Sequence, residues 1–467
     1  MKKPVVILLC IGLIILLVSL LAHQYLIESG GGKTRTITGA SMTERYDNGL
    51  ALQPLQGWST WSSIGASVTA SKIEVQAQVL AKMLKPHGYI YVNLDDYWYL
   101  NPITTVDRYG RWIANAQKFP QGIDGLSRYI HSLGLKFGIY LNPGIPVAAV
   151  TQNTPIEGTA YHARDIANTS KYETSFAFGN KMQYFIDYSK QGAQAFVNSW
   201  ADLLAQWQVD FLKLDGVEAR NIPESQTRNN ILAWSQALRQ SGRPIYLLLV
   251  GVGGFTVSQA SLLRQNANGW RIDDDIECYS SCPTHVSWKH VTIRFNDVLA
   301  WIPWAGPGGW NDLDSLYVGN EFHDGLTNDE RQSYMTLWAI SAAPLYISDD
   351  LTTLDAFGLR LLTNDEVINV DQQGVPARPI AISTQQQVWW ATEPDGSYVV
   401  ALFNLASSNS SVKVLWSELG LHGSASVRDL WTHANLGIYS SGFSAQLNSH
   451  ASRLIKITSS VTSKIGR

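Results

Sequence analysis

Asp210-Phe211-Leu212-Lys213-Leu214-Asp215-Gly216 is a short run in which Lys213 and Asp215 stand two residues apart among apolar neighbours, closed by a glycine. Side chains alternate across a strand, so Lys213 and Asp215 share one face and Leu212 and Leu214 the other. Moving outward from this segment, apolar runs with polar ends recur at 55–61, 89–96, 136–143, 209–216, 244–251, 268–275, 304–314 and 344–350. Helical stretches lie between them. At 71–85 apolar residues recur at Ile73, Val75, Val79, Leu80, Met83 and Leu84, and at 192–206 they recur at Phe196, Trp200, Leu203 and Leu204. This alternation is the mark of βα units and a parallel sheet. Eight units predict an α/β fold closed as a (β/α)8 TIM barrel. Asp95, Asp96, Asn142, Asp215, Asp273, Asp274, Asp275, Asp312, Asp314, Asp349 and Asp350 all fall at the C-terminal ends of these runs. A barrel gathers such residues at one mouth. Capping of the next helix accounts for Asp349 or Asp350 singly, but not for carboxylates at so many strand ends.

The barrel is expected over 51–374, and 467 residues leave room for a second domain. Past 375 the segments become short, β-rich and separated by turn residues such as Asp395-Gly396, which predicts an antiparallel β-sandwich over 375–467. At the other end, Lys2-Lys3 precede an unbroken apolar run over 4–22. A bilayer span needs roughly 20 apolar residues and a signal-peptide core about 7–15. Residues 1–24 therefore read as an N-terminal apolar helix, a signal anchor or signal peptide, with 25–50 as a linker carrying Gly30-Gly31-Gly32. The positive flank stays in the cytoplasm, which makes the remainder extracellular, with the membrane as a partner through that segment alone. An oxidising exterior would let Cys278 and Cys282 pair. A metal reading of these cysteines with His285 and His290 does not fit a standard zinc spacing.

Net charge is −3 and no basic run follows Lys2-Lys3, which excludes a nucleic-acid partner. The seventeen Trp, many beside Asp, Asn or Gly, suit a carbohydrate partner: a flat ring under the sugar's apolar face and acceptors around its hydroxyls. Cleaving a glycosidic bond needs a proton donor for the leaving oxygen and a nucleophile or base at the anomeric carbon. Lys213 is expected to keep Asp215 ionised, as a nucleophile requires. Asp275 lies among acidic neighbours that should raise one another's pKa, as a proton donor requires. By chemistry alone Asp273 and Asp274 are equally eligible acids.

Gly57-Trp58-Ser59-Thr60-Trp61, Asn93-Leu94-Asp95-Asp96-Tyr97-Trp98, Lys136-Phe137-Gly138-Ile139-Tyr140, Leu212-Lys213-Leu214-Asp215-Gly216, Trp270-Arg271-Ile272-Asp273-Asp274-Asp275 and Trp310-Asn311-Asp312-Leu313-Asp314 occur in this order. The series resembles glycoside hydrolase family 27, the α-galactosidases or melibiases. The resemblance implies a retaining, exo-acting hydrolase of terminal α-D-galactosides, with Asp215 as nucleophile and Asp275 as acid/base. It implies that Asp95 and Asp96 accept hydrogen bonds from sugar hydroxyls, that Trp61 and Tyr140 line the pocket, that Lys213 and Arg271 grip hydroxyls near the reacting carbon, and that Asp314 is a further acidic contact. It implies no cofactor and no metal. Two departures stand out. Tyr97 and Val217 occupy positions where family members carry cysteine, and Leu248-Leu249-Val250-Gly251-Val252-Gly253-Gly254 lacks the polar residue that contacts the 2-hydroxyl. The wider family includes β-L-arabinopyranosidases and isomalto-dextranases, so other sugars stay open. A dinucleotide reading of Gly251-x-Gly253-Gly254 fails because Thr256 stands where a third glycine is needed. A non-catalytic sugar-binding protein on the same fold would be expected to lack one of the two carboxylates, and both are present.

Overall fold

A computed structural model describes residues 45–173, 181–218, 222–380, 382 and 384–460. Its first layer is a ring of parallel strands: β1 (Gln56–Ser59), β2 (Tyr91–Leu94), β3 (Lys136–Leu141), β4 (Phe211–Glu218), β5 (Tyr246–Gly251), β6 (Gly269–Arg271), β7 (Trp310–Asp312) and β8 (Leu345–Ile347). Neighbours pair in sequence order from β1 to β7, and β8 pairs with β1. A parallel bridge between Leu316, just past β7, and Ile347 of β8 closes the ring. This is the (β/α)8 barrel expected from the repeat. The apolar run 4–22 and linker residues 25–44 lie outside the described residues, whereas 45–50, expected as linker, packs on the barrel, with Tyr46 buried and Asn48 donating to the Ile245 carbonyl at 3.1 Å; among the described residues, no helix is long and apolar enough to cross a membrane.

Local chemistry explains where the strands depart from their expected bounds. The run 304–314 narrows to Trp310–Asp312 because Ile302–Trp304 is a 3-10 turn and Gly306-Pro307-Gly308 follows it. Proline cannot donate to a ladder, so pairing begins only beyond it. The helix expected at 71–85 is α-helical over Ala70–Val79, tightly capped by Thr69, and then passes into a π-helical turn, Leu80–Leu84. Beyond β3 lies an antiparallel three-stranded insertion, Ile145–Pro146, Ala167–Tyr172 and Gln183–Ile186, which the hydrophobic pattern did not reveal.

The most consequential departure is in β4, which runs past Gly216 to Glu218. Leu214 pairs with Leu249, yet Glu218 pairs with Gly251, so the longer β4 segment carries a bulge. Gly216 permits it by adopting φ +69. Asp215 lies within this bulge. Glu218 in turn presses on Gly251, where an added Cβ would sit 2.6 Å from the Glu218 Cβ.

Trp58, Trp98, Trp270, Trp310, Trp338 and Trp389 are fully buried. A buried indole N–H needs an acceptor, and several of these find one on a distant segment. Trp58 donates to the Asp349 carbonyl at 2.8 Å, Trp270 to Asn311 Oδ1 at 2.9 Å and Trp338 to the Asp314 carbonyl at 3.0 Å. Asp350 caps the turn Leu351–Thr353, as its capping reading anticipated.

The C-terminal domain pairs a six-stranded antiparallel sheet with a two-stranded one, Ser410–Leu415 against Gly442–Leu447. Period-two alternation serves both faces of the larger sheet. Val400, Leu402, Ile455 and Ile457 pack toward the small sheet, whereas Trp389, Ala401, Phe403 and Leu454 join the core of the barrel. Phe295 of the barrel meets Phe403 edge-on with centroids 4.8 Å apart.

The turn after β5 is set by close approach. Gly254 adopts φ +72, and an added Cβ would lie 2.4 Å from the Asp273 Cα. Gly254→Ala should therefore lower unfolding stability by about 1–3 kcal/mol, read as an earlier urea midpoint at unchanged slope. An unshifted midpoint would show that this packing is not tight.

Candidate active site

Trp61, Asp95, Asp96, Tyr140, Lys213, Asp215, Arg271, Asp275 and Asp314 line one pocket at the C-terminal mouth of the barrel, together with Glu277, Tyr279 and Ser315. They come from the ends of six strands, and register explains several pairings. Tyr140 on β3 lies opposite Lys213 on β4, and Arg271 on β6 opposite Asp312 on β7.

One wall is built on β2. Asp95 Oδ2 accepts from Lys213 Nζ at 2.9 Å, and from Ser59 and Asn93 at 3.2 Å each. The Lys213 ammonium is thus committed to Asp95 rather than to Asp215, which corrects the expected pairing. Burial pulls the Lys213 pKa down, but Asp95 and then Asp215 more than offset this and hold it above its ordinary value. Asp96 Oδ1 accepts from the Tyr99 hydroxyl at 2.7 Å and the Tyr97 N–H at 2.6 Å. Its Oδ2 is buried with no hydrogen-bond partner among the described residues. Burial pushes the Asp96 carboxyl up to about 7, against the lowering effect of Tyr99.

Asp215 stands across the mouth, in the bulge. The Asn142 side chain donates to its carbonyl at 2.9 Å and the Gly216 N–H to its Oδ1 at 2.7 Å. Its pKa is raised to about 6, first by burial, with Lys213 opposing and Asp275 adding to the rise. A carboxylate with this value is still mostly ionised at neutral pH, although the expectation that lysine alone would govern it was incomplete.

The opposite wall centres on Arg271, which is only 2% exposed. Its guanidinium reaches Asp312 at 2.8 Å, Asp314 at 2.7 Å and Asp275 at 3.1 Å. Burial raises the Asp275 pKa, and Asp314 raises it further, while Arg271 and the Tyr279 hydroxyl oppose the shift. The neighbours expected to raise it are not the cause. Asp273 is drawn 2.5 Å from Arg294, Asp274 is exposed, and neither lines the pocket. Asp314 adopts φ +82, unusual for a residue with a side chain. Burial would raise its pKa, but Arg271 and the Ile276 N–H bring it below the ordinary value.

Glu277 and Tyr279 were not anticipated. Glu277 follows Asp275 by two residues, so alternation could have flagged it; Tyr279 lies in a loop without a periodic signal. Glu277 is buried against Tyr317 and Ser62, and burial lifts its pKa to about 8, with Asp314 and Asp275 adding to it. Asp275, Glu277 and Asp314 have oxygens within 4.8 Å of one another, the only such donor cluster among the described residues. Arg271 already neutralises two of the three, which makes the cluster a poor cation cage. Cys278 and Cys282 form the expected disulfide.

The chain matches the family profile described as alpha galactosidase A over residues 68–170 and 179–373, and that of the alpha galactosidase C-terminal beta sandwich domain over 383–457. It is 31% identical over 448 residues to an α-galactosidase of Cyamopsis tetragonoloba, covering 93% of this chain and 95% of the relative. The chain belongs to glycoside hydrolase family 27. Among solved structures, a family 27 β-L-arabinopyranosidase from Geobacillus stearothermophilus superposes with TM-score 0.81 at 35% identity, covering 89% of this chain and 98% of the other. The α-galactosidase I of Mortierella vinacea gives 0.72 at 28%, covering 90% and 100%.

In this glycoside hydrolase strand five contributes nothing to the pocket. The β4 bulge sets Glu218 against Gly251, leaving no room there for a side chain. The pocket instead draws its extra polar groups from the loop after β6.

Buried carboxyls in the pocket, together with Glu173 outside it, give folding a pH dependence. Burial raises Asp96 to about 7, Asp215 to about 6, and Glu173 and Glu277 to about 8. An unfolded chain releases these protons near pH 4. Between about pH 4 and 8 the native state therefore holds more protons than the unfolded state, and stability falls as pH rises. The lowered pKa of Asp314 acts in the opposite sense, but only below about pH 4. The thermal midpoint should be higher at pH 5 than at pH 8; a midpoint that climbs across this range would contradict the assignment.

Proposed function

We propose that this glycoside hydrolase is a retaining, exo-acting α-galactosidase in which Asp215 attacks the anomeric carbon and Asp275 protonates the leaving oxygen and then activates water. In the first step the Asp215 carboxylate forms the C1–O bond as the glycosidic C1–O bond breaks, and the proton of Asp275 passes to the departing oxygen. In the second, Asp275 takes a proton from water, whose oxygen displaces Asp215. The electrostatics support this division. Asp215 is mostly ionised at neutral pH, while burial and Asp314 raise the pKa of Asp275, the direction a proton donor requires. Arg271 and Lys213, both buried, supply positive charge beside the reacting centre.

The choice of sugar rests on Asp96. The α-D-galactopyranosyl and β-L-arabinopyranosyl rings share their ring stereochemistry and differ by the exocyclic hydroxymethyl group. Asp96 Oδ2 is a buried acceptor without a donor, and a sugar hydroxyl there would satisfy it. We take that hydroxyl to be the one on the exocyclic carbon, which a pentose lacks, so that a pentose would leave Asp96 unsatisfied at about 1–3 kcal/mol. The structural likeness to the arabinopyranosidase keeps that sugar as the second reading. Export through the apolar run 4–22 agrees with the Cys278–Cys282 disulfide, since such bonds persist in oxidising surroundings.

The wild type should hydrolyse p-nitrophenyl α-D-galactopyranoside at least about tenfold better than the β-L-arabinopyranoside, and Asp96→Ala should narrow that ratio through loss of the galactoside rate. An equal preference in the wild type would remove the argument from Asp96.

The two acids should separate on mutation. Asp215→Ala should lose turnover and, given azide, form a glycosyl azide of inverted configuration. Asp275→Ala should lose about 10²–10⁴-fold on substrates with poor leaving groups and less on aryl glycosides. In the wild type, kcat/KM should fall below about pH 6 as Asp215 takes up its proton. Near-normal turnover by both variants on every active glycoside would defeat the mechanism.

A further inference from the structure

The backbone that carries Asp215 is held from outside the pocket by an amide. Past Leu214, which pairs with Leu141 of β3 on one side and Leu249 of β5 on the other, β4 enters its bulge and Asp215 follows. The Asn142 side chain donates to the Asp215 carbonyl at 2.9 Å and accepts from the Tyr140 hydroxyl at 3.1 Å. These two bonds fix which end of the amide points where, since only its nitrogen can donate. Asn142 is buried and lies outside the pocket lining. Its own backbone is clamped in turn. Gln183 Nε2, on the insertion strand Gln183–Ile186, donates to the carbonyls of Asn142 at 3.2 Å and Pro143 at 2.7 Å. Gly144, at φ +106, lies so close to that insertion that an added Cβ would stand 2.8 Å from the Tyr184 carbonyl oxygen.

We propose that Asn142 is the positioning residue of the nucleophile: by holding the Asp215 carbonyl it orients the Asp215–Gly216 peptide, whose N–H then fixes Asp215 Oδ1 and leaves Oδ2 to attack the anomeric carbon. The inference rests on the glycosidase reading above and adds to it how the nucleophile is aimed. Rigid geometry supplies the link. The Asp215 carbonyl and the Gly216 N–H belong to one planar trans unit and point in opposite directions. Fixing the oxygen end fixes the hydrogen end, and Gly216 N lies 2.7 Å from Asp215 Oδ1. Without the amide this peptide could turn, because Gly216 sits at φ +69 and glycine populates both signs of φ about equally. Attack needs the reacting atoms about 3–3.5 Å apart and aligned. A turned peptide would swing the carboxylate out of line and leave the other pocket residues where they are. The insertion beyond β3 thus serves the reaction from outside the pocket. Gln183 holds the turn that bears Asn142, and Asn142 holds the peptide that bears the carboxylate.

Asn142→Ala in the full chain should lower kcat on p-nitrophenyl α-D-galactopyranoside about 10²-fold, with the inhibition constant of D-galactose within about twofold of the wild type. The acid limb of its kcat/KM profile should also move up. Lys213, Asp95, Asp96, Asp275, Tyr99 and Tyr140 face Asp215 and all remain, whereas the bond from the Gly216 N–H, which favours the ionised carboxyl, is lost. Azide separates positioning from general damage. In Asp215→Ala the external nucleophile does not depend on the Asp215 peptide, so adding Asn142→Ala should leave the azide-supported rate unchanged. Gln183→Ala keeps Asn142 but frees its backbone, and should lose about tenfold in kcat with the same unchanged galactose binding. A kcat unchanged in both single variants would overturn the proposal. So would an azide-supported rate that falls by the same factor as the wild-type reaction, which would give Asn142 a general structural role. Near-normal turnover by Asp215→Ala would instead defeat the nucleophile assignment beneath it, and the proposal with it.

Discussion

The buried guanidinium of Arg271 holds the site together. It bonds Asp312 at the end of its partner strand, Asp314 two residues on, and Asp275 on its own loop. Without it, Asp275, Glu277 and Asp314 would be carboxyls crowded within 4.8 Å in a region of low polarity. Removing one member of such a buried network typically costs about 3–5 kcal/mol, because the remaining charges lose their compensation. The same contacts sustain the left-handed backbone of Asp314, whose carbonyl also receives the Trp338 indole. Closure of the barrel follows directly, since Leu316, two residues further, makes the bridge to β8.

Lys213 plays the corresponding part on the other side. Between them the two cations divide the carboxylates into those held ionised and those left to the effect of burial. Asp314, bonded to Arg271, is held low. Asp96, Asp215 and Glu277 have no cation within bonding distance, and burial raises all three. Asp275 combines both influences, since Arg271 lowers its pKa while burial and Asp314 raise it.

The backbone contributes through the β4 bulge. Extra residues between Leu214 and Glu218 turn Asp215 into the mouth, where Asn142 holds its carbonyl. The bulge also closes off β5 by pressing Glu218 on Gly251.

Much of this was legible in the chain. Alternation put Lys213 and Asp215 on one face, and both line the pocket, because the period of a strand is fixed by covalent geometry. Eight apolar runs, most of them with polar ends, identified the barrel and its functional mouth, since a closed parallel sheet leaves those ends no other common destination. The partners of those residues were another matter. That Lys213 bonds Asp95, that Arg294 draws Asp273 away from the pocket, that Asp314 and not the adjacent acids raises Asp275, and that Glu277 and Tyr279 join the site all depend on contacts between separate strands and loops. Charges and hydrogen bonds act over a few ångströms of space, and sequence separation carries no such distance. The sequence by itself determined which residues reach the mouth; the tertiary structure alone decided which of them touch, and so which hold a proton.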